Sequence, residues 1–529
     1  MSIKTSRPAM ALAILLSAAV AANHAMAAPA GNIKPITQAA PDSSCAPTPQ
    51  RFVSNHQARI GGRLLNYEAV VEENILHNSK GQPAASLYSF SYLLRQEKSA
   101  PARPVLFVFN GGPGSSSIWT HLGMLGPRQV SLTDPVHPPT VPPFEIKDSE
   151  HSPLDVADLV FIDPVLTGFS RLLPGGQAQD YLGVTQDADA TAELMRQWLT
   201  RHGRWNSPKF VLGESYGTTR AVALASSLLG GVLPPQGVLG GSTLNGVIVL
   251  GPAFTLGQEG VAGDDSKSLS LLPTMAAAAW YHKRLAPQTG TLQQAMEAAR
   301  SFAQSDYLLA LNKGYGLAEP QRQAIAQRLA QLTGLSKQQW LDANLRISLS
   351  EFQGLLLKER GLAVGAYDAR YTLPLLAAGQ DPVVDDPAMV QYAPAFTTVL
   401  KQYMAQELGV TISEPYIPIN FKGVGFKWDY GVLPRNDATA LALAMRRNPS
   451  LRVFVGAGNY DLVATVGGAQ YTLAHAPVER ERLTFKTYDS GHMPYLGEQS
   501  ARTLAQDLRQ FIRGASDKNL NKALMQSKP

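Results

Sequence analysis

The sequence predicts an α/β fold in which a mostly parallel central sheet is interrupted by a helical cap insertion. Three observations carry that prediction. Apolar runs of strand length recur at residues 105–109, 158–162, 210–212, 247–250, 452–455 and 483–488. Apart from 483–488, they do not alternate with polar residues along their length, as strands covered on both faces require. Two of the runs lead directly into glycine-rich turns, Asn110-Gly111-Gly112-Pro113-Gly114 and Gly213-Glu214-Ser215-Tyr216-Gly217. Between about 256 and 400 the pattern changes to Ala/Leu/Gln-rich segments at helical spacing, and strand-like runs resume afterwards.

The composition sets the frame. With 529 residues, 45% of them hydrophobic, the chain can bury a large core, which excludes a disordered, collagenous or disulfide-built protein. At roughly 150 residues per domain the length alone suggests about three domains, but one fold with a large insertion fits equally well. The formal charge of +5 comes from scattered basic residues. No block of them offers a nucleic-acid surface.

The elements follow in chain order. Lys4 and Arg7 precede an apolar run at 10–22 and then Ala25-Met26-Ala27, the order of a secretory signal over 1–27. The run is shorter than the ~18 residues or more of a membrane span. Cleavage after Ala27 lowers the formal charge to +3 by removing those two cations. The expected location is exported, periplasmic or secreted, with no stable membrane association once the signal is gone. Residues 28–57, rich in Ala, Pro, Ser and Gln, read as a flexible leader. It contains Cys45, the single cysteine, so no intrachain disulfide can form. A first core part over 58–255 opens with β-rich stretches at 64–75 and 86–94. The cap insertion covers 256–400, with helical patterns at 292–313, 321–332 and 351–360. A second core part spans 401–516, and 517–529 read as a tail. The sequence leaves the oligomeric state open.

The chemistry concentrates at the C-terminal ends of the strand-like runs, where an open α/β sheet places its reactive groups. Gly213-Glu214-Ser215-Tyr216-Gly217 fits G-x-S-x-G between a strand run and a helical segment, the context in which small glycines permit a sharp turn that lifts a serine hydroxyl clear of the sheet. A serine hydroxyl needs a base, and the base needs an orienting acid. Asp461 follows the run at 452–455 and His492 follows the run at 483–488, giving the order Ser215, Asp461, His492. Asp489 is the rival acid, although its closeness to His492 in sequence favours a local hydrogen-bonding role. Gly112 and Tyr216 are placed to present backbone N–H groups to an oxyanion. The segment lacks both phosphate-binding glycine patterns, and no cofactor is expected.

Four motifs together, Asn110 to Ser117, Asp158 to Ser170, Gly213 to Gly217 and Gly491-His492-Met493, resemble the serine carboxypeptidase family of α/β-hydrolases, in family order across about 105–495. The resemblance implies an α/β-hydrolase fold in an exported member of bacterial type. It implies Ser215 as nucleophile, His492 as general base, Asp461 as its orienting acid, and an oxyanion hole at Gly112 and Tyr216. It further implies that Asn110, Gly111, Glu214 and Met493 contact the substrate, with Asn110 and Glu214 holding its C-terminal carboxylate. Peptides with a free C-terminus are the implied partners. Two departures stand out. Ser115 replaces a common cysteine, so the family's disulfide framework is missing, and Met124 replaces the usual second glutamate, which leaves room for an esterase or acyltransferase on the same residues. Without the second acid, carboxylate recognition should be weaker or use another donor, and activity should extend to higher pH. A non-catalytic binding protein has no need for all these groups at once.

Overall fold

The computed structural model describes residues 48–95, 102–132, 136–230, 240–254, 265–375, 381, 383–431 and 436–517. The signal segment, Cys45 and most of the tail lie outside the described residues. Among the described residues the centre is a ten-stranded sheet. One edge is antiparallel: Arg51–Ile60 pairs with Arg63–His77, then Pro83–Leu94, which pairs antiparallel with Asp158–Ile162. From there the order Asp158–Ile162, Val105–Phe109, Lys209–Glu214, Gly246–Leu250, Arg452–Gly458, Leu483–Tyr488 is parallel throughout. Every residue of Val105–Phe109, Asp158–Ile162, Lys209–Glu214 and Gly246–Leu250 is buried. That explains their unbroken apolar character, because helices cover both faces of such strands.

The two faces have separate cores. One packs Trp198, Leu224 and Met445, from the helices Val184–Arg201, Gly217–Ser227 and Asp437–Arg447, on Val105, Phe107 and Val211. The other packs Leu504, Leu508 and Ile512 of Glu498–Ser516 and Phe396 and Leu400 of Met389–Gln406 in one cluster with Leu106, Val108 and Leu212. A third cluster joins the helices Ser266–Tyr281, Leu292–Ala303, Glu319–Thr333 and Lys337–Asp342 to Ala457, Tyr460 and Leu462. The helices of the inserted region thus share a core with the loop that follows Arg452–Gly458. Among the described residues no helix is long and apolar enough to cross a membrane.

Three boundaries differ from expectation. The leader to 57 extends too far, because Arg51–Ile60 is a full sheet strand. Its inward positions are Phe52, Ser54, His56, Ala58 and Ile60, so two polar residues blur the alternation that marks a half-buried strand. The cap boundary at 400 falls inside the helix Met389–Gln406. Pro394 lies within that helix, where a missing N–H reads in sequence as a break. The pattern at 292–313 is two helices, Leu292–Ala303 and Asp306–Lys313.

Candidate active site

The sheet brings the expected residues to one end. Ser215 follows the strand Lys209–Glu214 directly and precedes the helix Gly217–Ser227. Its φ of 62° lies in the left-handed region, at a cost of roughly 1–3 kcal/mol that the surrounding structure has to sustain. The flanking glycines make the turn possible. A Cβ on Gly213 would lie 1.9 Å from the Gly217 carbonyl oxygen, and one on Gly217 would lie 3.2 Å from the Phe109 carbonyl oxygen. The Ser215 amide donates to the Leu250 carbonyl at 2.9 Å, tying the turn to the end of the neighbouring strand. The next residue there, Gly251, lies against His492: a Cβ at Gly251 would stand 3.1 Å from the imidazole Cε1.

His492 and Asp461 meet across the ends of the last two strands. Asp461 Oδ2 lies 2.7 Å from His492 Nδ1, and both side chains are buried. The other oxygen, Oδ1, accepts from the amides of Val463 at 2.8 Å and Ala464 at 2.9 Å. These bonds fix the carboxylate, which in turn selects the Nδ1–H tautomer of the ring. His492 Nε2 is buried without a partner. Burial disfavours the charged ring, but the Asp461 carboxylate outweighs it and holds the His492 pKa above its ordinary value. The rival acid has another role: Asp489 Oδ1 accepts from Asn459 Nδ2 at 2.7 Å.

The glycine-rich turn lies beside the serine. A Cβ on Gly111 would be 2.4 Å from the Tyr216 amide nitrogen, so only glycine allows that approach. Gly112 has a φ of 102°, a conformation open to glycine. Asn110, 1% exposed, donates through Nδ2 to Glu214 Oε1 at 2.6 Å and accepts from the Thr120 hydroxyl at 2.8 Å. Burial above all pushes the Glu214 carboxyl up to about 7, although the nearby His492, Tyr495 and Asn110 oppose the shift. Met493 is buried next to His492 in the chain. Met124 is also fully buried, in the π-helical turn His121–Leu125.

Several groups that sequence reasoning did not single out support these residues. Arg220, 1% exposed, donates to Asp187 Oδ2 at 2.7 Å and to the Asn110 carbonyl. Asp163 accepts from the Ser117 amide at 2.8 Å and hydroxyl at 2.7 Å, bracing the end of the glycine-rich segment. Burial lifts the Asp163 carboxyl to about 6. The inserted region reaches the site through residues 366–370. The His492 amide donates to the Tyr367 carbonyl at 2.6 Å, the Leu462 amide to Ala366 and the Ala369 amide to Tyr460, both at 3.0 Å. The Tyr367 ring stands edge-on to the imidazole at 5.2 Å. Asp163 lay within a quoted motif, whereas Tyr367 had no local signal, since its role depends on a contact 125 residues further along the chain.

The architecture defines the class: this is an α/β-hydrolase fold. Its topology is similar to that of the Kex1 prohormone-processing carboxypeptidase of Saccharomyces cerevisiae, with a TM-score of 0.53, 14% identity, and coverage of 84% of this chain and 91% of that one. Within the class, residues 80–247 match the model of the serine carboxypeptidase family. Serine carboxypeptidase-like 8 of Arabidopsis thaliana is 29% identical over 141 residues, 26% of this chain and 31% of that protein. Serine carboxypeptidase-like 10 of the same plant is 29% identical over 142 residues, again 26% and 31%. The chain thus spans about a third of the length of these curated relatives.

Proposed function

We propose that the protein is an exported serine carboxypeptidase that removes C-terminal residues from peptides. The observation that carries this reading is the buried Asp461–His492 pair at 2.7 Å, with Nε2 unpartnered at the sheet end that also holds the strained Ser215 turn. In the proposed reaction Ser215 Oγ attacks the last peptide carbonyl carbon while His492 Nε2 takes the hydroxyl proton. The Gly112 and Tyr216 amides receive the charge on the carbonyl oxygen. The C–N bond breaks as the imidazolium returns its proton to the leaving nitrogen. Water, activated by the same imidazole, then hydrolyses the acyl-enzyme. Asn110, Gly111 and Glu214 hold the terminal carboxylate, and Met493 packs near the leaving residue. The match of residues 80–247 to the serine carboxypeptidase model supports the substrate class.

The buried Met124 favours one competing reading, an esterase or acyltransferase, because it removes a carboxyl from the recognition group. One substrate panel separates the two: a blocked dipeptide with a free C-terminal carboxylate, its C-terminal amide, and a simple ester. The expected result is preferred cleavage of the free acid. Ester turnover with the peptide left intact would establish the competing reading, and failure to react with a serine-directed organophosphate would leave a binding protein.

The pH dependence follows from the same groups. His492 must be neutral to act as base, so activity falls as pH drops through its raised pKa. Glu214 must keep its proton to donate to a substrate carboxylate, so kcat/KM for the free acid should also fall as pH rises through about 7. The two groups are coupled, and the limbs of the resulting bell belong to the pair. An ester without a carboxylate should lack the alkaline limb. Measured kcat/KM profiles for both substrates check this, and a collapse for the acid above pH 5 would contradict it.

A further inference from the structure

Two buried polar atoms beside the proposed carboxylate site lack partners. Asn110 Nδ2 satisfies Glu214 Oε1, but Glu214 Oε2 is buried and unpaired. Tyr495 is 2% exposed and its hydroxyl is also unpaired. That hydroxyl lies beside both the Glu214 carboxyl and the Asn110 amide, short of hydrogen-bond geometry. Burying two such atoms together is costly unless a bond forms between them or to a ligand.

The ring reaches this place through a gap that the sequence provides. A Cβ on Gly123 would lie 2.3 Å from Tyr495 Cε2, so only glycine admits the ring against the turn His121–Leu125. The next residue in that turn is Met124, the position at which the family carries its second glutamate. A phenol therefore stands beside Glu214 while an apolar side chain occupies the acid's position.

We propose that Tyr495 is the positioning residue of the carboxylate-binding group, its hydroxyl donating to Glu214 Oε2 while Asn110 holds Oε1. This rests on the carboxypeptidase reading. A second carboxyl would add a charge that repels the substrate carboxylate once it ionises, whereas a buried phenol stays neutral throughout the working range. The hydroxyl bond favours the ionised form of Glu214 and so sets the upper pH of the carboxylate site. The other titratable groups facing Glu214 are His492 and Asp461, and Tyr392 faces Tyr495. None of these is altered by changing Tyr495 to Phe, which keeps the ring in its gap.

The experiment compares the Tyr495→Phe variant of the full chain with the wild type, measuring kcat and KM against pH for the free-acid dipeptide and for its ester. The alkaline limb for the acid is expected to move up by roughly one pH unit, carried by KM. The ester profile is expected to keep its shape. Gly123→Ala, which drives the ring away, should move the acid's limb in the same direction. An unmoved limb overturns the proposal, as does an equal change for acid and ester, which marks a merely structural tyrosine. If the wild type turns over the ester and leaves the acid untouched, the carboxypeptidase reading itself has failed, and the role of Tyr495 falls with it.

Discussion

Replacing Asp461 by asparagine is expected to lower kcat about 10⁴-fold with KM little changed, by analogy with the loss of the orienting acid in serine hydrolases. The reason lies in the tautomer. Asp461 Oδ2 accepts from Nδ1 at 2.7 Å, which leaves Nε2 without a proton and able to take one. The asparagine can keep its Oδ1 on the Val463 and Ala464 amides, which fixes its NH2 towards the ring. Nδ1 must then accept, so the proton moves to Nε2 and the base is blocked. The matched control is Asp489→Asn. Asp489 is nearer to His492 in sequence but pairs with Asn459, so its loss should leave kcat within a few-fold of wild type. Steady-state kinetics on both variants, with thermal unfolding to show that each is folded, settles the assignment. An Asp461 variant within tenfold of wild type would sink it.

Replacing Arg220 by methionine should destabilise the fold by about 3–5 kcal/mol, the usual cost of leaving one partner of a buried ion pair alone. Arg220 sits beneath the candidate site and touches several of its parts. It bonds Asp187 at 2.7 Å, donates to the Asn110 carbonyl, and lies 5.3 Å from the centres of the Phe109 and Tyr216 rings. Removing it strands the Asp187 carboxylate, whose pKa burial already raises against the pull of Arg220. A second variant isolates the charge effect. Asp187→Leu with Arg220→Met removes both charges and should be markedly more stable than Arg220→Met alone. Chemical denaturation of the three proteins measures the difference. Equal stability of the single and double variants would show that packing, and not the unpaired charge, sets the cost.

Much of the architecture was legible because it depends on local pattern. Strands such as Val105–Phe109 and Gly246–Leu250 are apolar at every position, a signature that survives without knowledge of neighbours. Ser215 was legible for a related reason: the collision a Cβ would cause at Gly213 and the tight contact it would make at Gly217 fit the two glycines that make the motif visible. Legibility failed where the pattern was mixed. The strand Arg51–Ile60 hides behind Ser54 and His56 at inward positions, and the helix Met389–Gln406 hides behind Pro394.

The sequence by itself pointed to the parallel sheet and to the strand ends beside which Ser215, Asp461 and His492 stand, because these follow from hydrophobic pattern and turn chemistry over a few residues. Only the tertiary structure decided which acid faces the imidazole, that Tyr367 from the inserted region anchors the His492 amide, and that the Tyr495 ring enters beside Glu214 through the space left at Gly123. The reason is geometric. Such contacts join segments separated by tens to hundreds of residues, and their distances depend on how the sheet order and the helical insertion bring those segments together.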